Sequence, residues 1–314
     1  MIPFAMMFPG HGSQSIDKLI NLARLFPIIK QTFYEASETL KYDLWKFIET
    51  GRIKELHSRE IQPLVLTSSV AIFRLWKQLE GPTPTILVGH SLGEYSALVC
   101  SETIKFNDAV SLVELRGKMM EEIALTQKGA MLIIIGLNQK TIIELCKVQA
   151  LGQIVSLASL NSPKQIVISG HKNAVMRVGW ACKAAGAKII PFPMNICSHC
   201  DLLKPMAKKF ANQLEEINIM VPKIPFLNNV DIKCEQSPAK IRSALVRQLY
   251  NPVQWIQCIE YIIKKTQLTL VVEIGLGKVL MDLTKCITSA LTILSIDNNN
   301  LLLAIKKIKE TYHS

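Results

Sequence analysis

A pentapeptide of the form G-x-S-x-G occupies residues 89–93, between the short apolar run 85–88 and a predicted helix that begins at Glu94. Strand, tight turn and helix follow one another in this order in parallel α/β sheets. The turn leaves no room for side chains on either side of the serine, and it lifts the Ser91 hydroxyl to a helix N-terminus, where negative charge is stabilised. The pattern therefore predicts a hydrolase-like parallel sheet with Ser91 as a nucleophile.

A second pattern lies within the stretch 128–196. Strands are predicted at 130–135, 154–160, 165–169 and 188–192, and helices at 139–149 and 173–185. The order β-α-β-β-α-β is typical of a ferredoxin-like unit. We therefore predict an α/β protein in which a large domain, made of residues 1–125 and 198–314, carries an inserted ferredoxin-like subdomain at 126–197.

The remaining apolar patterns are assigned to the large domain. They predict strands at 4–8, 222–229 and 270–274, and helices at 19–40, 61–79, 107–121, 201–216 and 240–250. The last thirty residues show no clear pattern. No internal repeat is recognised.

Composition narrows the classes of function. The 314-residue chain is 49% hydrophobic, enough for a sizeable core, but no apolar run approaches the roughly 18 residues that span a membrane. The N-terminus lacks the basic region of a signal peptide, so a cytoplasmic protein without a membrane partner is expected. The net charge of +11 is dispersed and only 6% of residues are aromatic, which argues against a nucleic-acid partner.

Eight cysteines are scattered along the chain, and only Cys197 and Cys200 have C-x-x-C spacing. A zinc site would need a second such pair or a nearby pair of histidines, and neither follows. We therefore expect reduced thiols and no metal site.

A serine hydroxyl needs a base to take its proton. His199 stands where the inserted unit rejoins the large domain, just before a helix, and this placement can bring its imidazole over Ser91. His90 adjoins the serine, where neighbouring side chains diverge, and is expected to support the turn; His11, in a glycine loop, remains possible. The other histidines are expected at the surface, at a helix cap and at the C-terminus: His57, His171 and His313. The sequence does not require a third, acidic residue to orient the imidazole.

Six motifs in matching order, from about residue 4 to 285, resemble bacterial malonyl-CoA:acyl carrier protein transacylases. They are FPGHGSQ at 8–14, GHSLGEYSA at 89–97, RGK at 116–118, NSP at 161–163, SH at 198–199 and YNPVQW at 250–255. The resemblance implies transfer of malonyl from malonyl-CoA to the phosphopantetheine thiol of acyl carrier protein through a malonyl-serine, supplying fatty acid synthesis. It also implies a monomer with no cofactor beyond the coenzyme A thioester, which is a substrate.

The same resemblance implies roles for single residues. Ser91 is the nucleophile, and His199 is the general base and then the general acid. A backbone carbonyl at Gln248 orients the histidine, which accounts for the missing acid. Arg116 binds the malonyl carboxylate, as a planar guanidinium does through two parallel hydrogen bonds.

Further residues are implied at the edges of the site. The backbone N–H groups of Leu92 and His11 form the oxyanion hole, and Gln62 and Asn161 contribute to substrate binding. His11 replaces the glutamine that is usual in the family, a change we expect to be tolerated because the contact is a backbone N–H. Ser159 stands where the family often has asparagine, which bears on the pantetheine contacts of that strand.

Two other functions share some of these features. A serine hydrolase such as an esterase has the same elbow but normally places an acid before a late histidine. A noncatalytic scaffold that binds a carrier protein would have no need of a nucleophile and a base. The joint presence of Ser91, His199 and Arg116 favours the transferase.

Overall fold

The computed structural model describes residues 3–10, 16–192, 196–275, 277–296 and 300–310. Strands in these ranges are β1 (Phe4–Phe8), β2 (Ile86–Gly89), β3 (Gly129–Ile135), β4 (Val155–Ser162), β5 (Gln165–His171), β6 (Lys188–Pro191), β7 (Phe226–Leu227), β8 (Leu270–Glu273) and β9 (Thr292–Ser295). Helices that precede β3 are α1 (Ile16–Leu25), α2 (Pro27–Leu40), α3 (Leu44–Glu49), α4 (Ser58–Gln78), α5 (Gly93–Cys100) and α6 (Phe106–Thr126).

The helices after β3 complete the set. They are α7 (Gln139–Gln149), α8 (Lys172–Ala184), α9 (Lys204–Glu215), α10 (Pro238–Gln248), α11 (Trp255–Thr266), α12 (Val279–Ile287) and α13 (Asn300–Glu310). Within the described ranges, no helix combines the length and the apolar character that crossing a membrane requires.

A parallel sheet forms the centre of the molecule, with the strand order β7-β2-β1-β8-β9. Every residue of β1, β2 and β8 is buried, as expected for parallel strands covered on both faces. The register pairs Phe8 with Gly89, so β1 and β2 end together at one edge of the sheet. The predicted α/β fold with a parallel sheet is confirmed, and the turn that carries Ser91 follows β2 at this edge.

A separate four-stranded sheet has the order β4-β5-β3-β6, with antiparallel pairs throughout. Helices α7 and α8 pack against it through apolar residues that include Ile142, Cys146, Val175 and Val178. The observed strand and helix bounds lie within about two residues of the predicted ones, because each short apolar run here ends at a Gly, Pro or Asn turn.

Backbone hydrogen bonds join the antiparallel sheet to the large α/β unit. Ser159 on β4 forms an isolated parallel bridge with Val253, which lies between α10 and α11. Leu160 N–H donates to the Val253 carbonyl at 2.9 Å, and Val253 N–H donates to the Ala158 carbonyl at 3.0 Å. Strand β4 is thereby fixed to the large α/β unit.

The helical pattern predicted over 19–40 is observed as two helices, α1 and α2, which separate where Phe26 is extended and Pro27 occupies the first position of the new helix. Helices α3, α11 and α12 lie in segments for which the sequence predicts no element. Strand β9 and helix α13 lie in the last part of the chain, for which the sequence predicts no element; β9 adds an edge strand parallel to β8.

Candidate active site

The turn after β2 holds Ser91 with φ at +53°, in the left-handed region. A Cβ on Gly89 would lie 1.9 Å from the carbonyl carbon of Gly93, and a Cβ on Gly93 would lie 2.0 Å from the carbonyl oxygen of Phe8. Only glycine fits at these two positions, as the G-x-S-x-G pattern predicts.

Asn229, which follows β7, supports this turn from both sides. Its Oδ1 accepts a hydrogen bond from Ser91 N–H at 2.7 Å, and its Nδ2 donates to the Gly89 carbonyl at 2.7 Å. The side chain is fully buried. Sequence reasoning missed Asn229, because 138 residues separate it from Ser91 and no local motif marks it.

His199 lies over the serine. Its Nε2 is 2.7 Å from Ser91 Oγ, and its Nδ1 is 2.8 Å from the backbone carbonyl oxygen of Gln248. A carbonyl only accepts, so Nδ1 carries the proton and donates it, which leaves the Nε2 lone pair facing the serine hydroxyl. The Gln248 carbonyl stands where a triad would place a carboxylate.

The surroundings of His199 keep its imidazole neutral. Burial, and secondarily the positive charge of Arg116, lower the pKa of His199 to about 3. Only 4% of the residue is exposed. The ring is therefore in its basic form at neutral pH and is able to accept the proton of Ser91.

Arg116, on α6, approaches the same hydroxyl. Its Nη2 donates to Ser91 Oγ at 3.1 Å and to Gln248 Oε1 at 3.2 Å, and its Nη1 donates to Gln62 Oε1 at 2.8 Å. These acceptors are neutral, and no salt bridge joins Arg116 to a carboxylate among the described residues. The guanidinium is buried, which lowers its pKa, and its positive charge is available to an anionic ligand.

Gln62, on α4, acts on Arg116. Its Nε2 donates to Ser58 Oγ at 3.0 Å, so its Oε1 is turned towards the guanidinium. Because Gln62 is fully buried, these two contacts fix its amide group. It contacts the arginine rather than the open cavity.

A cavity of about 260 Å³ opens above Ser91, between the two sheets and α12. Its lining includes Gly10, His90, Ser91, Arg116, Met120, Met131, Asn161, Val167, Phe192, Ser198, His199 and Leu280. The wall is mainly apolar, with the polar groups gathered at the serine. This is the form of a pocket for a small substrate.

Asn161 lies in the cavity wall and contacts His90. Its Oδ1 is 2.8 Å from His90 Nε2, and the hydroxyl of Ser159 donates to the same oxygen. The His90 ring packs against Trp255 with centroids 5.3 Å apart, and burial lowers the pKa of His90. His90 thus braces the turn, whereas its Nε2 faces away from the serine towards Asn161.

The backbone N–H groups of Leu92 and His11 are the candidates for the oxyanion hole. The N–H groups of His90, Ser91, Gly93 and Glu94 all donate hydrogen bonds, whereas the Leu92 N–H has no acceptor in the described part of the chain. Such a group at a helix start suits a developing oxyanion. His11 lies outside the described residues.

Cys197 and Cys200 flank His199 in the chain. Cys197 Sγ and Cys200 Sγ are 3.3 Å apart and both contact Ser169 Oγ, and all eight cysteines are free. Across the described ranges, no group of three or more His, Cys, Asp or Glu side chains is arranged to hold a metal ion.

Comparisons with known proteins identify the family of this chain. Residues 6–289 match the acyl transferase domain family. The malonyl CoA-acyl carrier protein transacylase of Salmonella typhimurium is 51% identical over 294 residues, which are 93% of this chain and 95% of that protein. The corresponding structure from Coxiella burnetii has 42% identity and a TM-score of 0.94, covering 98% of each chain. A malonyl-transacylase solved in complex with a type II PKS acyl-carrier protein has 48% identity and a TM-score of 0.94, covering 97% and 99%.

Proposed function

This chain belongs to the acyl transferase family and is an acyltransferase, and we propose that it transfers malonyl from malonyl-CoA to the phosphopantetheine thiol of an acyl carrier protein through a malonyl ester on Ser91. The observation that carries the proposal is the convergence of Ser91, His199 and Arg116. A nucleophile, a base and a guanidinium without a carboxylate partner lie within hydrogen-bond distance in one cavity.

In the first half-reaction, His199 Nε2 takes the hydroxyl proton while Ser91 Oγ attacks the thioester carbonyl carbon. The tetrahedral intermediate collapses, the C–S bond breaks, and the imidazolium returns the proton to the departing sulfur. The products are a malonyl-serine ester and the thiol of coenzyme A. The 2.7 Å contact between His199 Nε2 and Ser91 Oγ supports this role of the histidine.

In the second half-reaction, the phosphopantetheine thiol attacks the ester carbonyl and gives its proton to His199 Nε2. The C–O bond to Ser91 breaks, and the histidine returns the proton to the serine oxygen. Water is a competing nucleophile at this stage. The apolar cavity wall limits that competition because it holds few groups that would position a water molecule.

Arg116 selects the acyl group. The carboxylate of malonyl is the natural partner of a buried guanidinium whose hydrogen-bond acceptors among the described residues are two neutral amides and a hydroxyl. Binding it replaces the contact with Ser91 Oγ and leaves that hydroxyl to His199. The guanidinium also fixes the orientation of the carbonyl that is attacked.

The oxyanion is assigned to the Leu92 N–H, which has no protein acceptor among the described residues, together with the His11 N–H. We also assign 126–197 as a ferredoxin-like subdomain inserted between 1–125 and 198–314 of a hydrolase-like domain. The antiparallel order β4-β5-β3-β6 with two packed helices supports this division. The enzyme is proposed to act as a monomer without a further cofactor.

The proposal is tested by brief exposure of the purified protein to malonyl-CoA, followed by mass spectrometry. A malonyl adduct on Ser91, absent from Ser91→Ala and present on the control Ser101→Ala, is expected. Ser101 is a buried serine that is hydrogen-bonded to Thr103 and does not line the cavity. Addition of holo acyl carrier protein should discharge the adduct. Rapid ester hydrolysis without any thiol acceptor would instead identify a hydrolase.

A further inference from the structure

Glu94, on the first turn of α5, is a buried carboxylate for which the proposed reaction has no task. It is 1% exposed and forms no salt bridge with a described cation. Leaving a carboxyl group without solvent is costly unless hydrogen bonds compensate. The hydrogen bonds of Glu94 explain how a carboxyl group can be buried three residues after the nucleophile.

The two oxygens of Glu94 accept hydrogen bonds from two different parts of the chain. The backbone N–H of Asn229 donates to Oε1, and the side-chain Nε2 of Gln248 donates to Oε2. These donors are 135 and 154 residues away in sequence. One carboxylate thus fixes the segment after β7 and the end of α10 against the helix that follows the elbow.

Both partners of Glu94 contact the reacting groups directly. Asn229 holds the backbone of the turn through Ser91 N–H and the Gly89 carbonyl. Gln248 accepts from His199 Nδ1 at its backbone carbonyl, and its Nε2 also donates to the Ser91 carbonyl at 3.0 Å. The nucleophile is therefore held by Asn229 and Gln248, and the base by Gln248.

We propose that Glu94 is a positioning residue that sets the separation of Ser91 and His199 by holding Asn229 and Gln248 in place; this inference rests on the proposed function of the same site. Glu94 touches neither the substrate nor the reacting atoms. Its effect reaches the serine through Asn229 and the histidine through Gln248. A shift of about 1 Å between nucleophile and base is enough to slow a reaction roughly a hundredfold.

Glu94→Gln tests this with a nearly isosteric change. The amide keeps one acceptor for Asn229 N–H but turns an NH₂ group towards the NH₂ of Gln248, so that bond is lost. The matched control is Glu35→Gln, a partly buried carboxylate on α2 that accepts from Arg74 Nη1 at 2.6 Å and lies outside the cavity lining.

The measurement is the single-turnover rate of Ser91 acylation by malonyl-CoA at about pH 8.5, above the pKa of about 8 that burial gives Glu94. We expect Glu94→Gln to lower the maximal rate by about tenfold to a hundredfold, more than it raises the KM for malonyl-CoA, which Gln248 affects only through its contact with Arg116. Labelling of Ser91 by a fluorophosphonate, which needs no malonyl contact, should slow in parallel. Glu35→Gln should retain both rates.

A second variant guards against loss of folding. Asn229→Asp keeps the acceptor for Ser91 N–H but faces the Gly89 carbonyl with an oxygen, and it should also slow labelling. Because both residues act along one chain of contacts, the double variant should lose less than the product of the single losses. Folded Glu94→Gln protein with unchanged rates overturns the inference, as do equal losses in Glu94→Gln and Glu35→Gln that follow their melting temperatures. Failure of the unchanged protein to react with malonyl-CoA, with fluorophosphonate labelling intact, would overturn the proposed function instead.

Discussion

The Nε2 atom of His199 lies 2.7 Å from the Oγ of Ser91, although the two residues are 108 positions apart in the chain. Ser91 follows a central strand of the parallel sheet, whereas His199 follows the last strand of the antiparallel sheet. Their contact therefore depends on the path of the whole segment between α6 and α9. The pair also determines how the reaction should respond to pH.

The first prediction concerns the acid side of the pH profile. Because burial and Arg116 lower the pKa of His199 to about 3, its imidazole stays neutral throughout the mildly acidic range. We expect the kcat/KM for acylation by malonyl-CoA to show no loss from imidazole protonation between about pH 8 and pH 5. Stopped-flow rates measured across this range check it. A fall with a midpoint near 6.5 would contradict the assigned environment of the ring.

The second prediction concerns Arg116. Arg116→Ala removes the guanidinium that is proposed to bind the malonyl carboxylate. Because a hydrogen bond to a charged group contributes about 1.5–3 kcal/mol, kcat/KM for malonyl-CoA should fall roughly tenfold to a hundredfold. Acetyl-CoA should be affected far less. The pKa of His199 should rise as well, because a nearby positive charge is lost. Arg116→Lys, which keeps the charge without the planar fork, is the matched variant; equal selectivity in all three proteins would remove Arg116 from its role.

The third prediction concerns the elbow. Gly93→Ala forces a Cβ to within 2.0 Å of the Phe8 carbonyl oxygen, so we expect a loss of about 3 kcal/mol or more in the free energy of unfolding. Gly186→Ala is the control, since φ there is +94° but no atom lies within 4 Å of the added carbon. It should cost only about 1–2 kcal/mol. Urea unfolding of both variants measures the difference, and equal losses would show that the close approach of Gly93 to the Phe8 carbonyl oxygen does not limit the residue at this position.

The fourth prediction concerns stability and pH. Burial raises the pKa of Glu94 from 4.5 to about 8, so between these values the folded protein holds a proton that the unfolded chain releases. The free energy of unfolding should then fall as pH rises, by up to about 1.4 kcal/mol per pH unit, and level off above about pH 8. Glu273, with a pKa raised to about 7, contributes the same sign at lower pH, whereas His199 contributes the opposite sign below 6.5.

Between about pH 7 and pH 8, Glu94 therefore makes the largest contribution of these three groups to the pH dependence of the free energy of unfolding. Urea unfolding of the unchanged protein and of Glu94→Gln across this interval isolates its contribution. The variant should show a flatter dependence. Parallel curves would mean that the carboxyl does not take up a proton on folding.

The sequence predicts those parts of the fold that are encoded locally. The elbow is recognisable because strand, glycine turn and helix follow one another within a dozen residues, and the four-stranded antiparallel sheet with its two helices because its apolar runs are separated by strong turn residues. The boundary between α1 and α2 at Phe26 falls within one helical pattern, because apolar residues continue across it. Strand β9 is an edge strand with only two apolar residues, Ile293 and Leu294, which is a weaker signal than the three in β2 and in β8.

The site is encoded less locally. His199 is predicted from its place where the inserted unit rejoins the large domain, and Gln248 only from resemblance to a family; in the structure the His199 Nδ1 atom contacts the Gln248 carbonyl. Asn229 lies outside the six motifs, and Glu94 lies within the motif at 89–97 but has no role assigned by it. The roles of both depend on hydrogen bonds between segments more than 130 residues apart. Periodicity reports which face of an element is buried, and it says nothing about which buried polar groups meet.

The backbone bridge between Ser159 and Val253 has a consequence for protein engineering. A chimaera that exchanges only residues 126–197 with a relative takes one half of the bridge and leaves the other half in the recipient. Recombination blocks that carry 250–255 together with the exchanged segment keep both halves from the same parent. Libraries that exchange this segment to alter acyl preference should therefore also exchange 250–255, with one crossover before Val253 and one after it.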